Sequence, residues 1–206
     1  MNNDLDLQSV LSEPPTSPKL KSLIERLGAL ANPPIPSPTS DIKTYTDAVY
    51  HNYYEIGISL MFAPPSKGSK LGPEQFICDS IDVMNVPDAE AGNTRAAKAA
   101  SAYRTFPGLP LALGKRESSA PVTTSPSIPV PFLLKATSVG ADFVQYFGEP
   151  ARKGGGAGTA GPGIWCEWTT QGLMVEFGGD EARGPNAWER GGKAIWNVLT
   201  LFRVAT

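Results

Sequence analysis

The chain has 206 residues, enough at about 150 per domain for one large domain or two small ones. Apolar residues make up 41%, which argues against wholesale disorder because a core can be buried. A net charge of −2, from 18 basic and 20 acidic residues, argues against nucleic acid as a partner, and the single histidine, His51, excludes a His-cluster metal site.

Glycine and proline, 21 and 20 residues, exceed their usual share, so a folded body with long irregular segments is expected. The N-terminal residues carry neither the basic nor the apolar region of a signal peptide. No apolar run approaches the roughly 18 residues of a membrane span. Cys78 and Cys166 are expected as buried free thiols. The expectation is a cytoplasmic or nuclear protein with no membrane partner and no cofactor.

Residues 1–18 read as a flexible tail. Ser17-Pro18 starts a helix whose stripe is Leu20, Leu23, Ile24 and Leu27, with Gly28 as its cap. Four prolines exclude regular structure over 31–40. Strands follow at 44–54, 57–62 and 76–86, then an Ala-rich stretch with a short helix at 94–103. Residues 106–131 read as an exposed insertion. A second helix spans 139–147, capped by Thr137 or Ser138 and stopped by Gly148 and Pro150. A glycine-rich flexible loop at 152–163 precedes strands at 164–168, 172–177 and 195–204, and a loop at 178–192 carries Trp188.

The two halves repeat one another. Leu23 to Gly28 lies over Phe143 to Gly148, and Tyr50-His51-Asn52-Tyr53 over Trp165-Cys166-Glu167-Trp168. Gly57 to Phe62 lies over Gly172 to Phe177, and Ile81 to Val86 over Leu199 to Val204. Gly57 and Gly172 are expected at the positive-φ position of a type II turn. The fold expected is α+β: two related helix-plus-antiparallel-strand units (19–90 and 132–206) forming one sheet with helices on one face. An Ala-rich, then Pro/Ser-rich connection at 91–131 joins them into one composite domain.

The second helix, its Gly148-Glu149-Pro150 stop, the aromatic strand and the apolar strand ending at Phe177 resemble the small outer-membrane assembly lipoprotein domain. They also resemble its relatives, the beta-lactamase inhibitory proteins, which double the unit around a sheet whose free face grips a partner. The resemblance implies a tandem fold and a protein partner. The chain departs from it in having no lipoprotein signal, no disulfide framework and long Pro-rich insertions.

Gly156, Gly158 and Gly161 match GxGxxG, but a helix precedes and a strand follows, the reverse of a dinucleotide site. Arg152 and Lys153 beside these glycines are a weak anion-binding candidate. His51 has no nucleophile motif beside it, and Cys166 has no basic partner, so no catalytic residue is assigned. Glu167, Glu176 and Glu181, with the aromatics, leave a carbohydrate-binding or small-ligand protein, and with it a hydrolase, as the alternative.

If Ile58, Leu60 and Phe62 face the helices, then Ser59 and Met61 face away, as do Asp82 with Met84, Met174 with Glu176, and Thr200 with Phe202. Every methionine except the initiator falls on that face, and methionine suits surfaces that adapt to a partner. The expectation is a non-enzymatic protein-interaction module binding another protein through Met61, Met84, Met174, Phe202 and the loop residue Trp188.

Overall fold

A computed structural model describes residues 5–66, 68–69, 71–86, 102–114, 130–158 and 162–204. Its strands are β1 (Asp41–Thr44), β2 (Val49–Tyr53), β3 (Ile58–Ala63), β4 (Ile77–Met84) and β5 (Leu111–Leu113). Then come β6 (Phe132–Leu134), β7 (Arg152–Gly154), β8 (Trp165–Trp168), β9 (Leu173–Phe177) and β10 (Trp196–Phe202). The helices are α1 (Pro18–Leu30), α2 (Gly140–Phe147) and the single turn α3 (Ala187–Arg190).

Eight strands form one sheet in the order β1-β2-β3-β4-β10-β9-β8-β7, while β5 and β6 pair separately. Every pairing is antiparallel. The fold is therefore α+β around a large antiparallel sheet. Alternation sorts its side chains into two faces. On one, Ile58, Leu60, Phe62, Ile81, Val83, Val175, Leu199 and Leu201 are almost fully buried. On the other, a single register row runs Asp41, Asn52, Ser59, Asp82, Thr200, Met174, Glu167, Arg152.

Pro18 opens α1 after Ser17, and the expected stripe of Leu20, Leu23, Ile24 and Leu27 is buried. The helix does not stop at Gly28, however, but runs on to Leu30. A Cβ at Gly28 would lie 2.3 Å from the Ile35 carbonyl oxygen and 2.7 Å from Pro38 Cγ. That glycine admits the proline-rich return segment instead of ending the helix.

The N-cap of α2 is Val139, not Thr137 or Ser138; its N–H donates to Asp142 Oδ2 at 2.9 Å. The Ser138 hydroxyl accepts from Lys135 N at 3.1 Å and shapes the preceding turn. Gly148, at φ +84°, ends α2 as expected. Phe143 and Phe147 pack on Trp168, with ring centroids 6.2 and 5.7 Å away.

Several segments read as loose are built in. Leu5, Leu7 and Val10, within the expected tail, are core residues, entering through a 3-10 turn at Leu7–Val10. Phe106, Leu111 and Leu113 are buried, so 106–114 is no exposed insertion. The flexible loop at 152–163 begins instead with β7 on the sheet edge. The strand expected at 44–54 is a hairpin, with β1 and β2 flanking a turn at 45–48. Of the helix expected at 94–103, residues 94–101 lie outside the described residues, and 102–103 form a turn and bend. No helix among the described residues is long and apolar enough to cross a membrane.

Gly57 (φ 60°, ψ 37°) follows the 3-10 turn Tyr54–Ile56, and Gly172 (φ 63°, ψ 41°) follows Thr169–Gln171. Positive φ is as expected, but each glycine is the left-handed residue after a 3-10 turn and not part of a type II turn. A Cβ on Gly57 would also lie 2.2 Å from the Arg104 carbonyl oxygen. Strain and clash together give Gly57→Ala an expected cost of about 3 kcal/mol, read as a lower urea midpoint with an unchanged slope.

Candidate functional site

Strand alternation and cross-strand register assemble the face opposite the apolar core. Its centre is Asp82, paired in register with Ser59 on β3 and Thr200 on β10. Around it, Met61 pairs with Tyr50 and Ser80, Phe202 with Ser80, Met174 with Thr200, and Met84 with Val198. Val198 in turn pairs with Glu176, and Glu176 with Trp165. The structure thus brings Met61, Met84, Met174 and Phe202 onto one surface. Met61, Met174 and Phe202 are half-buried, Met84 is 9% exposed, and Glu176 is exposed.

One flank of this surface is polar and covered. Tyr103 reaches in from residues 102–106 and donates its hydroxyl to Asn52 Oδ1 at 2.8 Å. The Ser59 hydroxyl donates to the same oxygen at 2.9 Å, and Asn52 Nδ2 donates to the Asp41 carbonyl at 3.1 Å. Burial pushes the Tyr103 phenol up to about 12, opposed by its hydrogen bond with Ser59. Asn52 and Tyr103 were not legible as site residues, because nothing in the sequence says that residues 102–106 lie against this flank.

Burial raises the Asp82 carboxyl above its ordinary value, and its hydrogen bond with Thr200, whose hydroxyl donates to Oδ1 at 2.8 Å, opposes the rise. Glu176 keeps much of its residue surface exposed, yet the neighbouring strands desolvate its carboxyl enough to raise it, with the Asp82 charge as the second cause. Tyr50 is raised by burial, then by Asp82. At the edges the carboxylates are compensated: Glu167 pairs with Arg152 at 3.3 Å, and Asp41 with Lys43 at 3.6 Å. Among the described residues neither Asp82 nor Glu176 has an ion-pair partner.

Trp188 lies elsewhere. It is 44% exposed and lines an apolar cleft of about 270 Å³ with Ala141, Val144, Lys153, Cys166 and Phe177. Cys166 pairs in register with Val175, so this cleft opens on the core side of the sheet, away from the methionines. Arg152 and Lys153 are separated as well. They are neighbours on β7 and project to opposite faces, Arg152 onto Glu167 and Lys153 over the Trp188 ring at 5.7 Å. They do not converge on one anion. Of the GxGxxG glycines, Gly161 lies outside the described residues, and Gly156 packs its backbone against Ile164 and Ala187.

Burial pushes the Cys78 thiol up to about 12 and the Cys166 thiol up to about 11, the latter opposed by Lys153. His51 is lowered by burial and packs on the Phe62 ring at 4.8 Å. Glu167 also accepts from the Thr169 hydroxyl at 2.8 Å, while Glu181 sits apart in the turn Asp180–Ala182. Among the described residues no group of three His, Cys, Asp or Glu is placed to hold a metal ion.

No protein-family model, curated protein or solved structure matches the chain. The resemblance drawn from Gly148-Glu149-Pro150 and Phe177 therefore rests on those residues alone.

A carboxyl whose folded pKa is raised favours the fold while it is protonated. That contribution is complete below the unfolded carboxyl range and is lost as pH rises through the folded pKa. Ionised Asp82 thus costs stability at neutral pH. Asp82→Asn keeps an oxygen to accept from Thr200 and removes the charge. The variant is expected to be at least as stable as the parent at about pH 7, with its advantage shrinking toward about pH 4. Urea unfolding of both proteins across that range checks it; a clearly less stable variant at neutral pH would refute it.

Proposed function

We propose that the chain is a non-enzymatic protein-interaction module that binds another protein through the sheet face carrying Met61, Met84, Met174 and Phe202. One observation carries the reading. Three strands from different parts of the chain place flexible apolar side chains on the side of the sheet away from the core, where two of the three methionines remain partly exposed. Thioethers repack at little cost and suit a surface that must fit a partner.

The same reading includes two related units. Its supports are geometric. The sheet order has four strands of the first half mirrored by four of the second. Ile58 pairs with Val83 where Leu173 pairs with Leu201, and Asp82 faces Thr200 at the centre. Each half carries a 3-10 turn ending in a left-handed glycine between its aromatic and apolar strands. Tyr53, at the position of Trp168, lines a cleft with Leu20 and Ile24 of α1, as Trp168 packs on Phe143 and Phe147 of α2. A duplicated unit with its helix against the aromatic strand accounts for all four, and helices on one face leave the methionine face for a partner.

The apolar cleft beside Trp188 favours a second reading, a small-ligand site. Its volume of about 270 Å³ falls just under the usual range of roughly 300–1,000 Å³ for such pockets. Trp188 there supplies a flat apolar wall with Lys153 beside it.

Affinity capture from the native cell tests which surface binds a protein. The tagged parent, a Met61→Glu/Met174→Glu variant and a Trp188→Ala variant are compared, each shown to be folded by circular dichroism. Proteins retained by the parent and by Trp188→Ala but reduced about tenfold or more by the double variant are the expected result. Retention by the double variant with loss in Trp188→Ala would move the protein-binding surface to the cleft and overturn the methionine-face reading.

A further inference from the structure

We propose that the partner presents an arginine or lysine side chain to Asp82 at the centre of the methionine-bearing face. This rests on the reading of that face as the docking surface and names the chemistry it recognises.

The charge on the face is unevenly settled. At its two edges Asp41 and Glu167 are matched by Lys43 and Arg152. At its centre, Asp82 receives a hydroxyl hydrogen bond from Thr200, and among the described residues no cation pairs with it or with Glu176. The result is a negative centre within a rim of compensated charges.

That centre sits in surroundings that strengthen an ion pair. Ser59 and Thr200 flank Asp82 in register, Met61 and Phe202 lie diagonally beyond them, Met174 stands one strand further on, and Tyr50 and Trp165 are on the same face. Apolar neighbours that desolvate a carboxylate penalise it when alone and strengthen its attraction to a cation brought by a partner. The aliphatic stem of an arginine or lysine packs on thioethers, and a guanidinium lies well against aromatic rings. A bare metal ion is a poorer match. Hard divalent cations need about six oxygen ligands, and among the described residues no group of three His, Cys, Asp or Glu is placed to hold one.

The test uses the full chain, immobilised, and a phage library of random dodecapeptides as the probe. Selections are run on the parent, on Asp82→Asn and on the Met61→Glu/Met174→Glu variant. Peptides that bind the parent and not the double variant define the face. These are expected to be enriched in arginine or lysine. A synthetic peptide from that set should bind Asp82→Asn about tenfold or more weakly. Replacing its basic residue by a neutral isostere, citrulline for arginine, should cost as much on the parent and little further on Asp82→Asn. The citrulline comparison needs only the parent protein, so a failure of the Asp82 variant to fold leaves the proposal exposed to refutation. Face-dependent peptides without basic enrichment, or with equal affinity for citrulline and arginine forms, would overturn the cationic partner and leave the face as a docking surface. No face-dependent peptides at all would overturn both.

Discussion

The pairing of β4 with β10 is the constraint on which the sheet depends. β4 ends the first half and β10 is the last strand, yet they lie side by side at the centre of the eight strands. The Thr200–Asp82 hydrogen bond spans 118 residues. Remove that ladder and two four-stranded sheets remain, each with a long unpaired edge. Asn85 secures one end of it. Its N–H donates to the Asn197 carbonyl at 2.8 Å, and its side-chain amide donates to the carbonyls of Ala136 and Trp196 at 2.9 and 2.8 Å. Trp196 Nε1 adds a bond to the Lys135 carbonyl at 2.8 Å. These buried donors are satisfied in one register only, so they specify the pairing as well as stabilise it.

Asp82 belongs to the same argument. It stands between Ile81 and Val83, both fully buried on the opposite face. A slip of one residue would place the carboxylate in the apolar core and the two aliphatic side chains outside. The charge therefore opposes the wrong register strongly while costing the right one a little. That cost is larger than register alone requires, because Thr or Ser at this position would disfavour the slip with no charge to desolvate. The cationic partner proposed for this face would supply the compensation that the register does not require.

Legibility followed periodicity. The stripe Leu20, Leu23, Ile24, Leu27 and the alternation Ile58, Leu60, Phe62 each repeat often enough to define an element and its buried side. The faces of Met61, Met84 and Met174 were readable because a strand's period of two leaves no other choice once the core side is known. Where elements are short, the signal disappears. β1 has four exposed residues and no alternation, so Asp41–Thr44 carries no pattern to read. Leu5, Leu7 and Val10 reach the core through a single 3-10 turn. Gly28 looked like a helix stop because glycine both ends helices and admits close neighbours, and only the position of Ile35 and Pro38 decides between them. The sequence groups Trp188 with the methionines because a loop residue carries no face, and in the structure it lies across the sheet from them.

That separation makes the two functional readings physically independent. The sheet separates the methionine face from the Trp188 cleft, which lies on the core side with Val175 and Leu199. Side chains on opposite sides of a close-packed layer share no partners, so substitutions at Met61, Asp82 or Met174 should act additively with those at Trp188 or Lys153. Coupling between the two sets would require the layer itself to shift, and its residues are anchored by the central ladder that Asn85 and Trp196 hold in place. The sheet that joins the two halves of the chain is thus also the partition between its two candidate surfaces.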